Sequence, residues 1–236
     1  MRYSNIIEGE FISRENRFIA LVSIGGEAMR VHVKNTGRCK ELLLPGSKVY
    51  LVKSDKEGRR TAYDLVAVEK KCDGGTILIN MDSMIPNDAV AEWLPASGLF
   101  SPSATVKREY TYHDSRFDFF VVDGDRRALI EVKGVTLENN RRVMFPDAPT
   151  ERGAKHLRGL VRAVEEGFEA YVIFVVQMDY ALSLSPNTAT DPEFSRALVY
   201  ANKMGVRLCA YKCKVTPLEM LIDKPIEIIL PSDGQI

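Results

Sequence analysis

Asp118, Glu131 and Lys133 are the residues whose types and spacing could do chemistry. In Ser115-Arg-Phe-Asp-Phe119 the alternation of a strand puts Arg116, Asp118 and Phe120 on one face. In Glu131-Val-Lys133 it puts Glu131 and Lys133 together, with Val132 turned away. If Gly124-Asp125 are the central residues of a two-residue turn, Asp123 pairs with Arg126 and Asp118 falls opposite Glu131, Cβ atoms about 5 Å apart. A four-residue loop gives the same register, whereas a three-residue loop sends the two carboxylates to opposite faces. Carboxylates so placed repel, and a hard divalent cation, Mg2+ or Mn2+, holds such a pair through oxygen while keeping several waters. Lys133 could orient or deprotonate a water on that cation, or stabilise the charge that grows on a phosphate. These are the parts that metal-dependent phosphodiester cleavage needs. Glu109 is a further carboxylate upstream. The plainer alternative is a surface hairpin with a cross-strand ion pair.

The elements that must position these residues are legible around them. Phe117, Phe119 and Val121 alternate with the polar face and would bury the other side of the hairpin, and Arg116 beside Asp118 would help keep it ionised. A helix is predicted from Thr150, its N-cap, to Glu166. At 100° per residue, Arg152, Lys155, His156, Gly159 and Ala163 share one side. Ala154, Leu157, Leu160, Val161 and Val164 share the other. Two bases, a histidine and small residues could approach a phosphate backbone closely, although a solvated face has the same pattern. The stiff Phe145-Pro-Asp-Ala-Pro-Thr150 segment precedes the helix, and Asp147 either reaches the same site or caps the helix. Glu169–Gln177 reads as a buried strand. Asp191-Pro192 starts a second helix, which carries Phe194, Ala197, Leu198, Ala201 and Met204 on one face and ends at Gly205. Val206–Val215 is a strand. The order β-β-α-β-α-β predicts an α/β domain with a central mixed sheet over 107–236.

Residues 1–82 read differently. Phe18–Ile24 is a strand, Gly25-Gly26 a hairpin turn, and the return strand alternates Met29, Val31 and Val33 against Arg30, His32 and Lys34. A short helix is expected over Arg38–Leu44, stopped by Pro45-Gly46. Strands follow at Lys48–Lys53 and Ala62–Glu69, with a turn around Asp55–Arg60. Short strands with a helix after the third predict an N-terminal OB-fold β-barrel, with a generic small barrel as the alternative. Residues 83–106 contain a short helix ending at Trp93 and three chain-breaking residues, Pro95, Gly98 and Pro102. They read as a linker.

The chain has 236 residues, 45% hydrophobic and 27% charged, with 32 basic and 32 acidic side chains. No global field steers it to a polyanion or a membrane, but residues 1–80 carry 14 Lys and Arg against 10 Asp and Glu. Arg30, His32 and Lys34, extended by Arg38 and Lys40, make a basic face that could contact phosphates without reading sequence. The uninterrupted apolar stretches are about five residues, far below the roughly 20 of a membrane span. The first residues carry acids where a signal peptide has its apolar core, so a cytoplasmic protein is expected. Cys39, Cys72, Cys209 and Cys213 read as reduced thiols, and without a CxxC a zinc site is not expected.

Long motifs in order then resemble one family. Phe145-Pro-Asp-Ala-x-Thr-x-Arg-Gly-x-Lys-His156, Ser115-Arg-Phe-Asp-Phe119, Glu131-Val-Lys-Gly134, His32-Val-x-Asn-Thr-Gly-Arg38 and Glu41-Leu-Leu-x-Pro-Gly46 are similar to the sugar fermentation stimulation protein (SfsA) family. The resemblance spans almost the whole chain. It implies an OB-fold joined to a domain of the PD-(D/E)xK nuclease fold, and a DNA-binding protein associated with regulation of sugar utilisation. It places Asp118, Glu131 and Lys133 at the nuclease-core positions and His156 on the helix that often supplies a further active-site residue. Phe117 stands where the superfamily's proline would precede Asp118. DNA is the implied partner, contacted by the N-terminal basic face and by Arg116, Arg152 and Lys155; a homodimer is compatible with it. Fold does not establish cleavage. A DNA cofactor that only binds, and an enzyme on a small phosphorylated or nucleotide substrate, stand as alternatives.

Overall fold

Alternating apolar residues in the first 80 positions close into a barrel. The computed structural model describes residues 1–35, 37–54 and 58–232. Its first strands are β1 (Ile6–Arg14), β2 (Ile19–Ile24), β3 (Glu27–Val33), β4 (Lys48–Lys53), β5 (Tyr63–Cys72) and β6 (Gly75–Asn80). Their order is β3-β2-β1-β4-β5-β6, and a parallel pairing of β3 with β5 closes β1–β5 into a five-stranded OB barrel. Val31 and Val33 point inward as their alternation predicts. Part of the turn expected around Asp55–Arg60, residues 55–57, lies outside the described residues, as does Thr36.

The helix expected over Arg38–Leu44 is absent, replaced by turns in which the Leu42 and Leu43 amides both donate to the Cys39 carbonyl. The cause is Arg14, whose guanidinium takes the Gly37 and Arg38 carbonyls at 2.9 and 2.7 Å. Those carbonyls would have opened the intrahelical ladder, and a helix this short does not nucleate without them.

Residues 83–106, read as a connector, are packed. They form α1 (Ile85–Trp93) and a single 3-10 turn, and Ile85, Ala89, Val90, Leu94 and Phe100 are buried against Phe119, Ile130 and Tyr171. There follow β7 (Thr105–Tyr112), β8 (Ser115–Asp123), β9 (Arg126–Val135), β10 (Leu137–Asn139), β11 (Arg142–Phe145) and α2 (Glu151–Glu165). The remainder is β12 (Glu169–Val176), β13 (Ser183–Pro186), α3 (Pro192–Lys203), β14 (Arg207–Val215), β15 (Met220–Pro225) and β16 (Glu227–Ile228).

The central sheet runs β15-β14-β12-β9-β8-β7, with β12 parallel to β9 and β14 and the other pairs antiparallel. A second sheet, β10-β11-β13-β16, lies beside it. Strand β12 shows why the middle is so apolar. Val172, Phe174 and Val176 face the core of α2 and α3, whereas Tyr171, Ile173 and Val175 face that of α1. The barrel residues Phe11, Val22 and Leu65 belong to the same buried cluster as Leu157, Leu160 and Phe194. The buried ion pair of Lys70 with Glu138, at 2.5 Å, ties β5 to β10.

Glu169 fastens the far end of this sheet. It accepts from Arg126 at 2.7 and 2.9 Å, from the Tyr171 hydroxyl at 2.6 Å and from Arg207 at 3.0 Å. The Arg126 pair, against the opposing effect of burial, lowers its carboxyl to about 2. A depressed carboxyl adds stability above its unfolded value, and that contribution is lost as pH falls through about 2. Glu169→Gln is therefore expected to lower the urea midpoint at pH 7, with the gap to the parent protein closing between pH 4.5 and 2. A gap independent of pH would contradict this.

Candidate functional site

A two-residue turn sets the site. Gly124 sits at φ 61°, the first central position of a type II′ turn, which only glycine occupies without strain. Asp123 pairs with Arg126, and the register runs unbroken to Phe119 opposite Ile130. Asp118 and Glu131 are the next positions along the two strands. Here the ladder stops, and the Asp118 carboxylate takes over from it: Oδ2 accepts from the Val132 amide at 2.7 Å. Oδ1 accepts from the Asn87 side chain on α1, also at 2.7 Å. Phe119 and Val121 are buried on the α1 side of the sheet, whereas Phe117, expected beside them, is buried on the α2 side against His156, so the simple alternation does not carry through Asp118.

Glu131 is 4% exposed. Its Oε1 receives two donors at 2.5 Å, Lys133 Nζ and His156 Nδ1. Its Oε2 is buried and has no hydrogen-bond partner. His156 is held from both sides, edge-on to Phe117 with ring centroids 5.6 Å apart and with Arg152 Nε donating to its Nε2 at 3.3 Å. Arginine only donates, so Nε2 accepts and the ring proton lies on Nδ1, towards Glu131. The helix places His156 there because Thr150 caps it, accepting from the Gly153 amide at 3.0 Å. Asp147 neither caps the helix nor joins the carboxylates. It crosses to the barrel and accepts from the Arg38 amide at 3.1 Å.

The two carboxyls are driven apart electrostatically. Burial and the charge of Glu131 raise that of Asp118 above the ordinary range. Burial opposes ionisation of Glu131 too, yet the His156 hydrogen bond and the Lys133 charge hold it below its usual value. The two shifts therefore run in opposite directions. Among the described residues, no group of three or more His, Cys, Asp or Glu forms a metal cage. A pair of carboxylates suits Mg2+ or Mn2+, which take one or two protein oxygens and complete their shell with water and phosphate. The orphaned Oε2 of Glu131 is the acceptor that such a cation would satisfy.

The remaining expected residues are placed as follows. Glu109, at φ 58°, is exposed and pairs with Arg116 at 3.1 Å. Lys155 pairs with Asp114 at 3.1 Å. On the barrel, Arg30 pairs with Glu15, His32 with Asp64 and Lys34 with the fully buried Asp82. Arg38 and Lys40 are exposed without a carboxylate partner among the described residues.

Two residues of the site have no clear sequence signal. Asn87 is one, since the meeting of α1 with β8 is tertiary. Gln177 is the other: buried, it donates to the Asn80 carbonyl and side chain and to the Asp82 carbonyl at 3.1–3.2 Å. Its sole hint is a polar residue ending an apolar strand. Gly134, directly after Lys133, lets this layer close up, because a Cβ there would lie 2.6 Å from Gln177 Oε1 and 2.8 Å from Pro86 Cγ. Gly134→Ala is expected to cost about 1–3 kcal/mol, read as a lower urea midpoint. An unchanged midpoint would mean that Gln177 swings aside freely.

Comparison with known proteins bears on the whole chain. Residues 84–219 match the model described as the sugar fermentation stimulation protein RE domain, and residues 12–79 match the SfsA N-terminal OB domain. A sugar fermentation stimulation protein homolog of Desulfitobacterium hafniense (strain Y51) is 51% identical over 216 residues, 92% of each chain. That of Clostridium beijerinckii is 47% identical over 230 residues, 98% of this chain and 100% of the relative. The solved structure of Pyrococcus furiosus SfsA in complex with Ca2+ superposes with a TM-score of 0.84. It is 24% identical and covers 97% of this chain and 98% of its own, which speaks for the fold.

Proposed function

The chain belongs to the sugar fermentation stimulation protein family, and from that premise we propose that it binds DNA and cleaves phosphodiester bonds with Mg2+ or Mn2+ held by Asp118 and Glu131. The observation that carries this reading is the buried, unpartnered Oε2 of Glu131 beside the Asp118 carboxylate. His156 and Lys133 both bind Oε1, so Oε2 is the oxygen left for a cation. Asn87 and the Val132 amide fix Asp118 in the facing position. Pyrococcus furiosus SfsA was solved with Ca2+, a cation with the same taste for oxygen ligands.

When bound, the cation supplies Lewis acidity to the phosphate. The chain's own groups supply the rest. Lys133, with its ammonium on the polar face, stabilises negative charge as it develops on phosphate oxygens. His156 carries a proton on Nδ1 that anchors Glu131, making it a positioning residue. Exposed cations give sequence-independent affinity for the DNA backbone. Through its DNA the protein acts in the stimulation of sugar fermentation that its family is named for.

The test is to titrate the purified protein with Mn2+ by calorimetry, and to incubate it with supercoiled plasmid and single-stranded circles in Mg2+, Mn2+ or chelator. One cation per chain and metal-dependent nicking are expected. Retention of DNA with no nicking in either metal would reduce the protein to a binding cofactor. Nicking that persists in chelator would remove the cation from the chemistry.

A further inference from the structure

The loop between β1 and β2 faces the segment after β3 across a cavity of about 540 Å3, lined by Arg14, Arg17, Arg38 and Lys40 with Leu43 at its wall. These cations are not equivalent. All five donors of Arg14 go to main-chain carbonyls, those of Asn16, Arg17, Asn35, Gly37 and Arg38, at 2.7–3.1 Å. Arg14 is thus the brace that holds the two walls at a fixed separation. Arg17, Arg38 and Lys40 are exposed, and none has a carboxylate partner among the described residues. Elsewhere on this barrel Arg30, His32 and Lys34 are each neutralised. Asp147, a carboxylate at this wall, is engaged by the Arg38 amide.

Next to Arg17 in the same loop stands Phe18, 52% exposed. An isolated exposed phenylalanine is ordinary, but its backbone here is pinned on both sides. Its amide donates to Asn16 Oδ1 at 2.8 Å, and its carbonyl accepts from the Val33 amide at 2.7 Å. An exposed aromatic ring on a pinned backbone, next in the chain to Arg17 on the β1–β2 loop of an OB barrel, has the chemistry of a base-stacking platform with a phosphate clamp at its side. Duplex DNA keeps its base faces stacked and offers none to such a ring, whereas an unpaired strand does. A second cavity, about 110 Å3, is lined by Asn35 and Asp147 at one side and by Gly134, the residue after Lys133, at the other.

We infer that the cavity at the β1–β2 loop binds a single-stranded segment of DNA, with Phe18 stacking on a base and Arg17, Arg38 and Lys40 holding its phosphates. This deepens the reading of a DNA-binding protein and rests on it for the identity of the polymer, not for the site.

The test is fluorescence anisotropy of a short labelled oligo(dT) with the full chain in chelator, where nothing is cut, against a hairpin duplex of equal charge. Arg38→Ala/Lys40→Ala is expected to weaken oligo(dT) at least ten-fold and to flatten the slope of log K against log salt by about 1.4, roughly 0.7 for each phosphate no longer neutralised. Phe18→Ala is expected to weaken it about ten-fold, with Phe18→Trp restoring it. Arg30→Ala, on the paired face, is expected to bind like the parent. Equal losses for the duplex, or a salt slope that does not move, would overturn the inference. So would displacement of the oligo by thymidine monophosphate at equal phosphate concentration. The outcomes separate from the cleavage reading: oligo(dT) binding that depends on this loop, in a protein that never nicks, would sustain the site and sink the nuclease.

Discussion

Asp118→Ala is expected to bring metal-dependent nicking of supercoiled plasmid down to the chelator background, a loss of about 10²–10³-fold or more on the scale of removing one electrostatic element from an active site. Glu131→Gln is expected to do the same, because an amide at that position cannot offer a second anionic oxygen. In both variants the calorimetric Mn2+ signal should disappear with the activity. In Asp118→Ala, stability should not. Burial and the nearby Glu131 charge raise the Asp118 carboxyl, so the folded state holds its proton more tightly than the unfolded chain does. The linkage then runs against the native state: the contribution present at low pH is lost as pH rises through the raised value, and at neutral pH the ionised group opposes folding. Removing it relieves that opposition while giving up the hydrogen bonds from Asn87 and Val132. A melting temperature close to the parent's, with activity gone, would mark Asp118 as a group kept for chemistry. Nicking that survives in Asp118→Ala would come from a contaminant and take the support from this site.

Lys34→Met should behave in the opposite way, costing stability and sparing function. Lys34 Nζ lies 2.5 Å from Oδ2 of Asp82, whose side chain is wholly inaccessible to solvent. Deleting one partner of a buried pair strands the other charge, which costs about 3–5 kcal/mol. In a chain of this size that corresponds to a fall of roughly 10 °C in melting temperature. Lys34→Met/Asp82→Asn should recover part of it, since no buried charge is left uncompensated. Below the transition, DNA affinity in Lys34→Met should stay within about two-fold of the parent, as a residue already paired contributes little to phosphate binding. A loss of DNA affinity with no change in melting temperature would return Lys34 to the phosphate-contacting role that its position on an alternating strand suggests.

What the sequence discloses divides along a physical line. The carboxylate pair is legible because one short turn, Gly124-Asp125, fixes the register of β8 on β9 up to Phe119 opposite Ile130, one position short of Asp118 and Glu131. The barrel strands, the two long helices and their Thr150 and Asp191 caps are legible for the same reason, as periodicity and capping are local. Residues 38–44 look helical by composition, but Arg14, more than twenty positions away, claims the carbonyls that a helix would need. Strand β7 is largely exposed and shows no apolar alternation, and β10, β11, β13 and β16 span two to four residues each, too few for a period to register. The charges on β3 alternate outward as expected, yet Glu15, Asp64 and Asp82 come from other parts of the chain to neutralise them. A stretch of sequence names its own charges and leaves their counter-ions unnamed.

The buried cluster that runs from Phe11 and Val22 in the barrel to Leu157 and Phe194 under the helices has an evolutionary consequence. A junction crossed by that much apolar surface, and by the Lys70–Glu138 pair, cannot be recombined freely. A barrel grafted from a distant relative would arrive with the wrong knobs for the receiving holes, and an α/β half inherited alone would present bare hydrocarbon to water. Each substitution on one side of the seam therefore licenses or forbids those on the other.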